Sequence, residues 1–183
     1  MELSLLRPVA PDALISEEEF AKDEYLPYWA DLWPASRLLA EVLPTELLGQ
    51  HVVELGCGLG VPSLVAAARG ALVTATDWSE DAIALLRRNS ERNGLDLNAV
   101  VHDWRDAWPE ERFDLAIASD IVYELRYVEP LALLLPRLAP TALLGLGARP
   151  YEMWLLELLD YDHVTDRVVR VSFPSASIVG SGG

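Results

Sequence analysis

The chain has 183 residues, 51% of them apolar and 23% charged, with a formal net charge of −15. That length suits one domain with ample core, and the acidic balance argues against a nucleic-acid phosphate backbone as the main partner while leaving a basic protein or a cationic molecule open. The single cysteine, Cys57, excludes an internal disulfide, and with neither a leader-like start nor an apolar run of spanning length, a reducing cytoplasmic location and no membrane are expected.

Residues 1–24 combine Pro8 and Pro11 with an acidic run at Glu17, Glu18 and Glu19, and read as a surface arm with one short helix. Residues 25–44 follow as an aromatic segment and a helix: Tyr25, Tyr28, Trp29 and Trp33 crowd around Pro27 and Pro34. Pro34 starts a helix over Leu38, Leu39 and Val42, and Pro44 ends it. Trp33, immediately before that helix, is placed to cover a ligand.

Residues 50–183 form the α/β core. Val52, Val53, Glu54 and Leu55 suit a buried strand. Gly56, Gly58 and Gly60 then recur at every second position, so the backbone can turn tightly and approach a ligand. Pro62 sits at a helix start, Val61, Leu64, Val65 and Ala68 keep helical spacing, and Gly70 stops it. A second strand over residues 71–77 ends in Asp77, where a carboxylate can take two ribose hydroxyls, with Trp78 beside it.

The glycine spacing separates two nucleotide-type cofactors. The dinucleotide fingerprint G-x-G-x-x-G places its third glycine where this chain has Val61. No positive charge near the turn offsets a phosphate, whereas S-adenosylmethionine carries a sulfonium and an amino group that acidic surroundings such as Glu54 favour. The methyl donor is therefore the expected cofactor, with S-adenosylhomocysteine as its product.

Ser79 caps the next helix, with Glu80 and Asp81 in its first turn and Asn93-Gly94 as its stop. A third strand over residues 97–102 ends at Asp103-Trp104, an acid for an adenine amino group and an indole for its ring. A fourth strand over 113–119 closes in Ser119-Asp120-Ile121-Val122-Tyr123. Pro130 opens a helix to Leu138 that Pro136 kinks or ends, residues 141–146 form a fifth strand, and Arg149-Pro150 leads to a helix over Trp154, Leu155, Leu158 and Leu159. Residues 163–173 read as one further strand, with 177–179 as a short partner after Pro174. The expected fold is a Rossmann-like three-layer α/β sandwich: a mostly parallel seven-stranded sheet with a short antiparallel hairpin at its C-terminal end. Gly56 to Gly60, Asp77, Asp103-Trp104 and Ser119-Asp120 all follow strand ends and so converge on one rim. No histidine or cysteine has a partner at metal-ligand spacing, so no metal is expected.

Residues 28–149 resemble the seven-β-strand methyltransferases, and specifically the family-16 group that contains many protein-lysine methyltransferases. The matches are Leu32-Trp33-Pro34-Ala35-Ser36, the run from Glu54 through Gly60, and the D-x-x-Y of Asp120 and Tyr123. The resemblance implies that Trp33, Gly56, Gly58, Asp77, Trp104 and Ser119 line the donor site and that Asp120 and Tyr123 face the acceptor nitrogen. It implies an S-adenosylmethionine-dependent N-methyltransferase acting on a lysine side chain of a protein. A small-molecule amine or pyridine methyltransferase is the nearest alternative, a non-catalytic donor-binding module is one from another class, and a dinucleotide oxidoreductase comes last.

Overall fold

A computed structural model describes residues 2–8, 28–108 and 110–173. Its centre is a seven-stranded sheet in the order β3-β2-β1-β4-β5-β7-β6, with β1 His51–Leu55, β2 Leu72–Asp77, β3 Asn98–Val101, β4 Leu115–Ser119, β5 Thr141–Gly145, β6 Tyr161–Thr165 and β7 Val168–Ser172. The first five strands are parallel neighbours, whereas β7 pairs antiparallel with both β5 and β6. Among the described residues the helices are α1 Pro34–Val42, α2 Val61–Ala68, α3 Glu80–Asn93, α4 Val128–Leu138 and α5 Pro150–Glu157, and short 3-10 turns occupy Tyr28–Ala30 and Leu125–Tyr127. None of these helices is long and apolar enough to cross a membrane.

Strand parity divides the core in two. Val52, Leu115, Ile117 and Leu143 face a cluster shared with Leu39 of α1, Leu64 of α2, and Ile83 and Leu86 of α3. Their neighbours Val53, Leu55, Ala116, Ala118 and Leu144 face the other way, onto Leu131 and Leu135 of α4 and Leu155 of α5. Both faces of the central strands are buried, which is why those strands read as unbroken apolar runs rather than alternating ones.

The helix signals act locally as the sequence indicates. The Ser79 hydroxyl accepts from the Ala82 N–H, and Gly94 ends α3 in the left-handed region at φ +63°. Three boundaries differ. Helix α4 begins at Val128 rather than Pro130 and runs two residues past Pro136; a proline in the first turn forfeits no intrahelical bond, whereas Pro136 leaves the Ala132 carbonyl without its helical N–H partner. Helix α5 stops at Glu157 and buries Glu152, Leu155 and Leu156, leaving Trp154 and Leu158 exposed.

The third difference is the tail. The single strand expected over residues 163–173 is a hairpin that turns at Asp166 and Arg167. The Thr165 hydroxyl accepts from the N–H groups of Arg167 and Val168 at 3.2 and 3.0 Å, making a turn without glycine or proline. The expected partner at 177–179 lies outside the described residues, as does the short helix expected in the arm.

The beginning of the arm does dock. Asn89, fully buried, accepts from the Leu6 N–H at 2.6 Å and donates to the Leu6 carbonyl at 3.0 Å. One helical turn on, Asn93 does the same for Ser4, at 2.8 Å each way. Two asparagines four apart on a helix thus act as a strand edge for alternate residues of an extended chain, since four helical rises (~6 Å) nearly match two strand rises (~6.6 Å). Asn89→Ala is expected to lower unfolding stability by about 1–3 kcal/mol, because it strands both Leu6 backbone groups; denaturant titration measures this, and a loss under ~0.5 kcal/mol contradicts the pairing.

Candidate functional site

A cavity of about 460 Å³ opens at the carboxyl ends of the parallel strands, lined from the turn after β1, the ends of β2 and β4, the loops after β3 and β5, and the aromatic segment. Its volume falls within the usual range for small-molecule sites, and it lies where the strand order reverses between β1 and β4.

The turn after β1 forms its floor. Gly58 has φ +51°, and a Cβ there would come 3.2 Å from the Trp29 carbonyl oxygen, so any side chain strains the turn and pushes on the aromatic segment. Asp77 clamps the turn: its Oδ2 accepts from the Gly58 N–H and its Oδ1 from the Ser79 N–H, both at 2.9 Å. Burial pushes the Asp77 carboxyl above its ordinary range, a tendency these hydrogen bonds oppose. A carboxylate has about four acceptor positions, so these hydrogen bonds leave acceptor capacity for a hydroxyl group of a ligand.

The walls are aromatic. Trp33 donates its indole N–H to the Tyr28 carbonyl at 2.7 Å and meets the Tyr28 ring edge-on at 6.0 Å. Tyr28 leans on Tyr123 at 5.6 Å, Tyr123 on Tyr127 at 5.0 Å, and Tyr127 on Trp104 at 5.6 Å. The five rings come from three separate segments of chain, and all line the cavity. Burial and the neighbouring Tyr127 push the Tyr123 phenol well above its ordinary value, so it remains protonated at neutral pH.

Asp120 follows β4 with φ +57°, and Ala148 after β5 has φ +64°; these are the two described non-glycine residues in the left-handed region, each costing about 1–3 kcal/mol. The Asp120 side chain is 6% exposed: its Oδ1 accepts from the Arg149 Nε–H at 3.1 Å, while Oδ2 is buried without a hydrogen-bond partner. Glu152, also buried, accepts from the N–H groups of Gly147 at 2.6 Å and Arg149 at 2.9 Å and so pins the strained turn from behind.

Of the residues expected at the site, Trp33, Gly56, Gly58, Asp77, Trp78, Trp104, Ser119, Asp120 and Tyr123 line this cavity, and Glu54, Gly60 and Asp103 do not. Glu54 shares the strand parity of Val52, and its 1%-exposed carboxyl meets the start of α2, where Oε2 accepts from the Ser63 N–H at 2.9 Å and from the Ser63 hydroxyl. Gly60 has φ +69° as the cap of α2, and a Cβ there would collide with Leu86. The Asp103 carboxylate is engaged by the Arg105 guanidinium. Tyr127, Arg105, Arg126 and Arg149 line the cavity too, although sequence reasoning does not single them out. Arg149 is within reach of the strand-end rule that finds the others, since it follows the end of β5.

The residues fit S-adenosylmethionine better than a dinucleotide. The Ser63 N–H at the N-terminus of α2, a natural pyrophosphate donor, is already taken by Glu54. The glycine cradle at Gly58 and the spare acceptor positions of Asp77 suit a ribose without a phosphate. Cys57 is buried beside Asp77 and Glu54, and burial pushes its thiol well above the ordinary value, so it is no nucleophile.

The profile of the methyltransferase small domain matches residues 28–119. A ribosomal protein L11 methyltransferase of Burkholderia vietnamiensis is 37% identical over 111 residues, 60% of this chain and 35% of its own length. A histidine protein methyltransferase 1 homolog of Dictyostelium discoideum is 33% identical over 87 residues, 44% of this chain and 28% of its own. The chain thus spans about a third of the curated relatives it matches. The 16S rRNA N2 G1207 methyltransferase of T. thermophilus, solved with S-adenosylmethionine and guanosine, superposes with a TM-score of 0.61 at 26% identity over 79% of this chain and 44% of its own.

Burial, opposed by the Ser63 hydrogen bonds and reinforced by Asp77, raises the Glu54 carboxyl from 4.5 to about 8. The folded state therefore binds this proton more tightly than the unfolded chain. The resulting stabilisation is complete below about pH 4.5 and is lost as pH rises toward about 8. Glu54→Gln removes that dependence: between these limits the variant is expected to gain on the wild type by up to about 1.4 kcal/mol per pH unit. Denaturant titrations across pH check this, and parallel stability curves contradict it.

Proposed function

The chain belongs to the methyltransferase small-domain family and uses S-adenosylmethionine as its methyl donor, and from that premise we propose that it transfers a methyl group to a nitrogen of a protein, the ε-amine of a lysine. The observation that carries the reading is the pairing of an unsatisfied buried acceptor, Asp120 Oδ2, with the protonated Tyr123 phenol on one aromatic-walled cavity. Relatives named for ribosomal protein L11 and for protein histidine support a protein as acceptor, and the second supports a side-chain nitrogen. The D-x-x-Y resemblance supports lysine.

S-adenosylmethionine supplies an electrophilic methyl when bound. The chain itself must hold a nucleophile in line with that methyl. Asp77 takes the ribose hydroxyls, Gly56, Gly58 and Ser119 give the backbone room, Trp78 and Trp104 flank the adenine, and Trp33 closes over the donor. A lysine ammonium has no lone pair, and with a reference pKa of ~10.4 it must shed a proton to water before it reacts. Asp120 accepts an N–H of the amine, which satisfies the orphaned oxygen and orients the lone pair. The rings of Tyr28 and Tyr123 receive the alkyl stem and favour the charge that grows on nitrogen. A phenol this reluctant to ionise serves as a hydrogen-bonding and ring surface, not as the base.

The likeness to an rRNA guanine methyltransferase favours a second reading, an exocyclic base nitrogen as acceptor. The net charge of −15 weighs against it. Incubation of the protein with labelled donor and cell extract separates the two: label in protein hydrolysed to methyllysine supports the first, label in RNA the second, and label only in small molecules overturns both.

In single-turnover assays with a methylated acceptor, Asp120→Asn is expected to lower the rate about 10²-fold or more while leaving donor affinity within about threefold. Tyr123→Phe is expected to be milder. The wild-type rate is expected to climb toward alkaline pH as the amine loses its proton. Wild-type rates in both variants remove these residues from the mechanism.

A further inference from the structure

The cavity follows the sheet rim in the order β3, β2, β1, β4, β5. On the reading that S-adenosylmethionine occupies it, a ribose at Asp77 after β2 with adenine toward Trp104 after β3 directs the amino-acid end past β1, toward β4 and β5. That end bears an α-carboxylate, which needs fixed donors when it leaves water.

Three arginines line the cavity. Arg105 spends its guanidinium on both oxygens of Asp103 and on the Tyr127 hydroxyl. Arg126 is spent on Glu124 and the same hydroxyl. Arg149, after β5, differs: only its Nε–H is engaged by a side chain, on Asp120 Oδ1, and its two Nη nitrogens donate to no described residue. The guanidinium carbon lies 5.0 Å over the Trp33 ring, and the side chain is 28% exposed. It is held along one edge by a carboxylate and across one face by an indole, while the turn beneath it is strained at Ala148 and pinned by Glu152. A planar fork fixed in this way matches a carboxylate.

We propose that Arg149 receives the α-carboxylate of the methyl donor. Asp120 and Trp33 then act in a second way, by holding the fork at the mouth of the amino-acid subsite, so that carboxylate binding, Trp33 closure and the orientation of Asp120 are one event. Asp120 lies at the edge of the fork and Glu152 behind its turn, with Asp31, Glu124 and Arg126 elsewhere on the cavity wall; the donor's own α-ammonium offsets the acidic charge.

Calorimetric titration tests this with S-adenosylhomocysteine and its decarboxylated analogue, which keeps the amine and lacks only the carboxylate. Wild type is expected to bind the analogue about 10–100-fold more weakly. Arg149→Gln is expected to weaken S-adenosylhomocysteine by a similar factor and to leave the analogue within about twofold. Arg149→Lys, which keeps charge but not the fork and guards against a Gln variant that fails to fold, is expected to fall between. Equal loss for both ligands overturns the assignment, because it marks Arg149 as support for Trp33 and Asp120 alone. Equal wild-type affinity for the two ligands also overturns it while leaving donor binding intact; failure of wild type to bind either would instead sink the donor reading itself.

Discussion

The site hangs on one carboxylate. Asp77 ends β2 yet bonds the glycine turn of β1 and the cap region of α3 at once, through Gly58 and Ser79. Two turns that follow neighbouring strands are thereby fixed relative to each other, and the cavity floor cannot move without breaking a buried charge-assisted hydrogen bond. The glycines permit this arrangement; Asp77 selects it. The same carboxylate faces the cavity, so the group that organises the turn also presents acceptors to a ligand.

Charge is managed pair by pair in a strongly acidic protein. Each arginine on the cavity has an acidic partner: Asp103, Glu124 or Asp120. Glu54, which sequence pattern offers as a negative charge toward the donor, is instead a largely neutral side chain at physiological pH, engaged with Ser63 at the foot of α2. Its contribution to donor choice is indirect. By filling the helix N-terminus it closes the anion site on which dinucleotide-binding folds rely.

Strain is concentrated where chemistry is proposed. Asp120 and Ala148 adopt left-handed backbone on opposite sides of the Arg149 ion pair, and the Asp120 carboxyl packs so tightly beneath the loop that no side chain fits at Gly147. A strained turn held by a buried glutamate keeps a short loop rigid at the end of a strand, which is what positioning to a fraction of an ångström requires.

The sequence by itself determined the local pieces: the glycine turn, the helix starts at Pro34, Pro62 and Ser79, the stops at Gly70 and Gly94, and the five parallel strands whose ends define the rim. These are set by backbone freedom, capping and periodicity, which act within a few residues. The hairpin at Asp166 and Arg167 escaped because Thr165 turns the chain with its hydroxyl, and a run of β-branched residues conceals that. Only tertiary structure decided which way Glu54 points, since strand parity acquires meaning once both faces of the sheet are covered. It alone assembled Trp33, Tyr28, Tyr123, Tyr127 and Trp104 into one wall, and it alone brought Arg149 onto Asp120, 29 positions away in the chain. Such contacts depend on which strands become neighbours, and strand order is fixed by the collective burial of the sheet rather than by any local pattern.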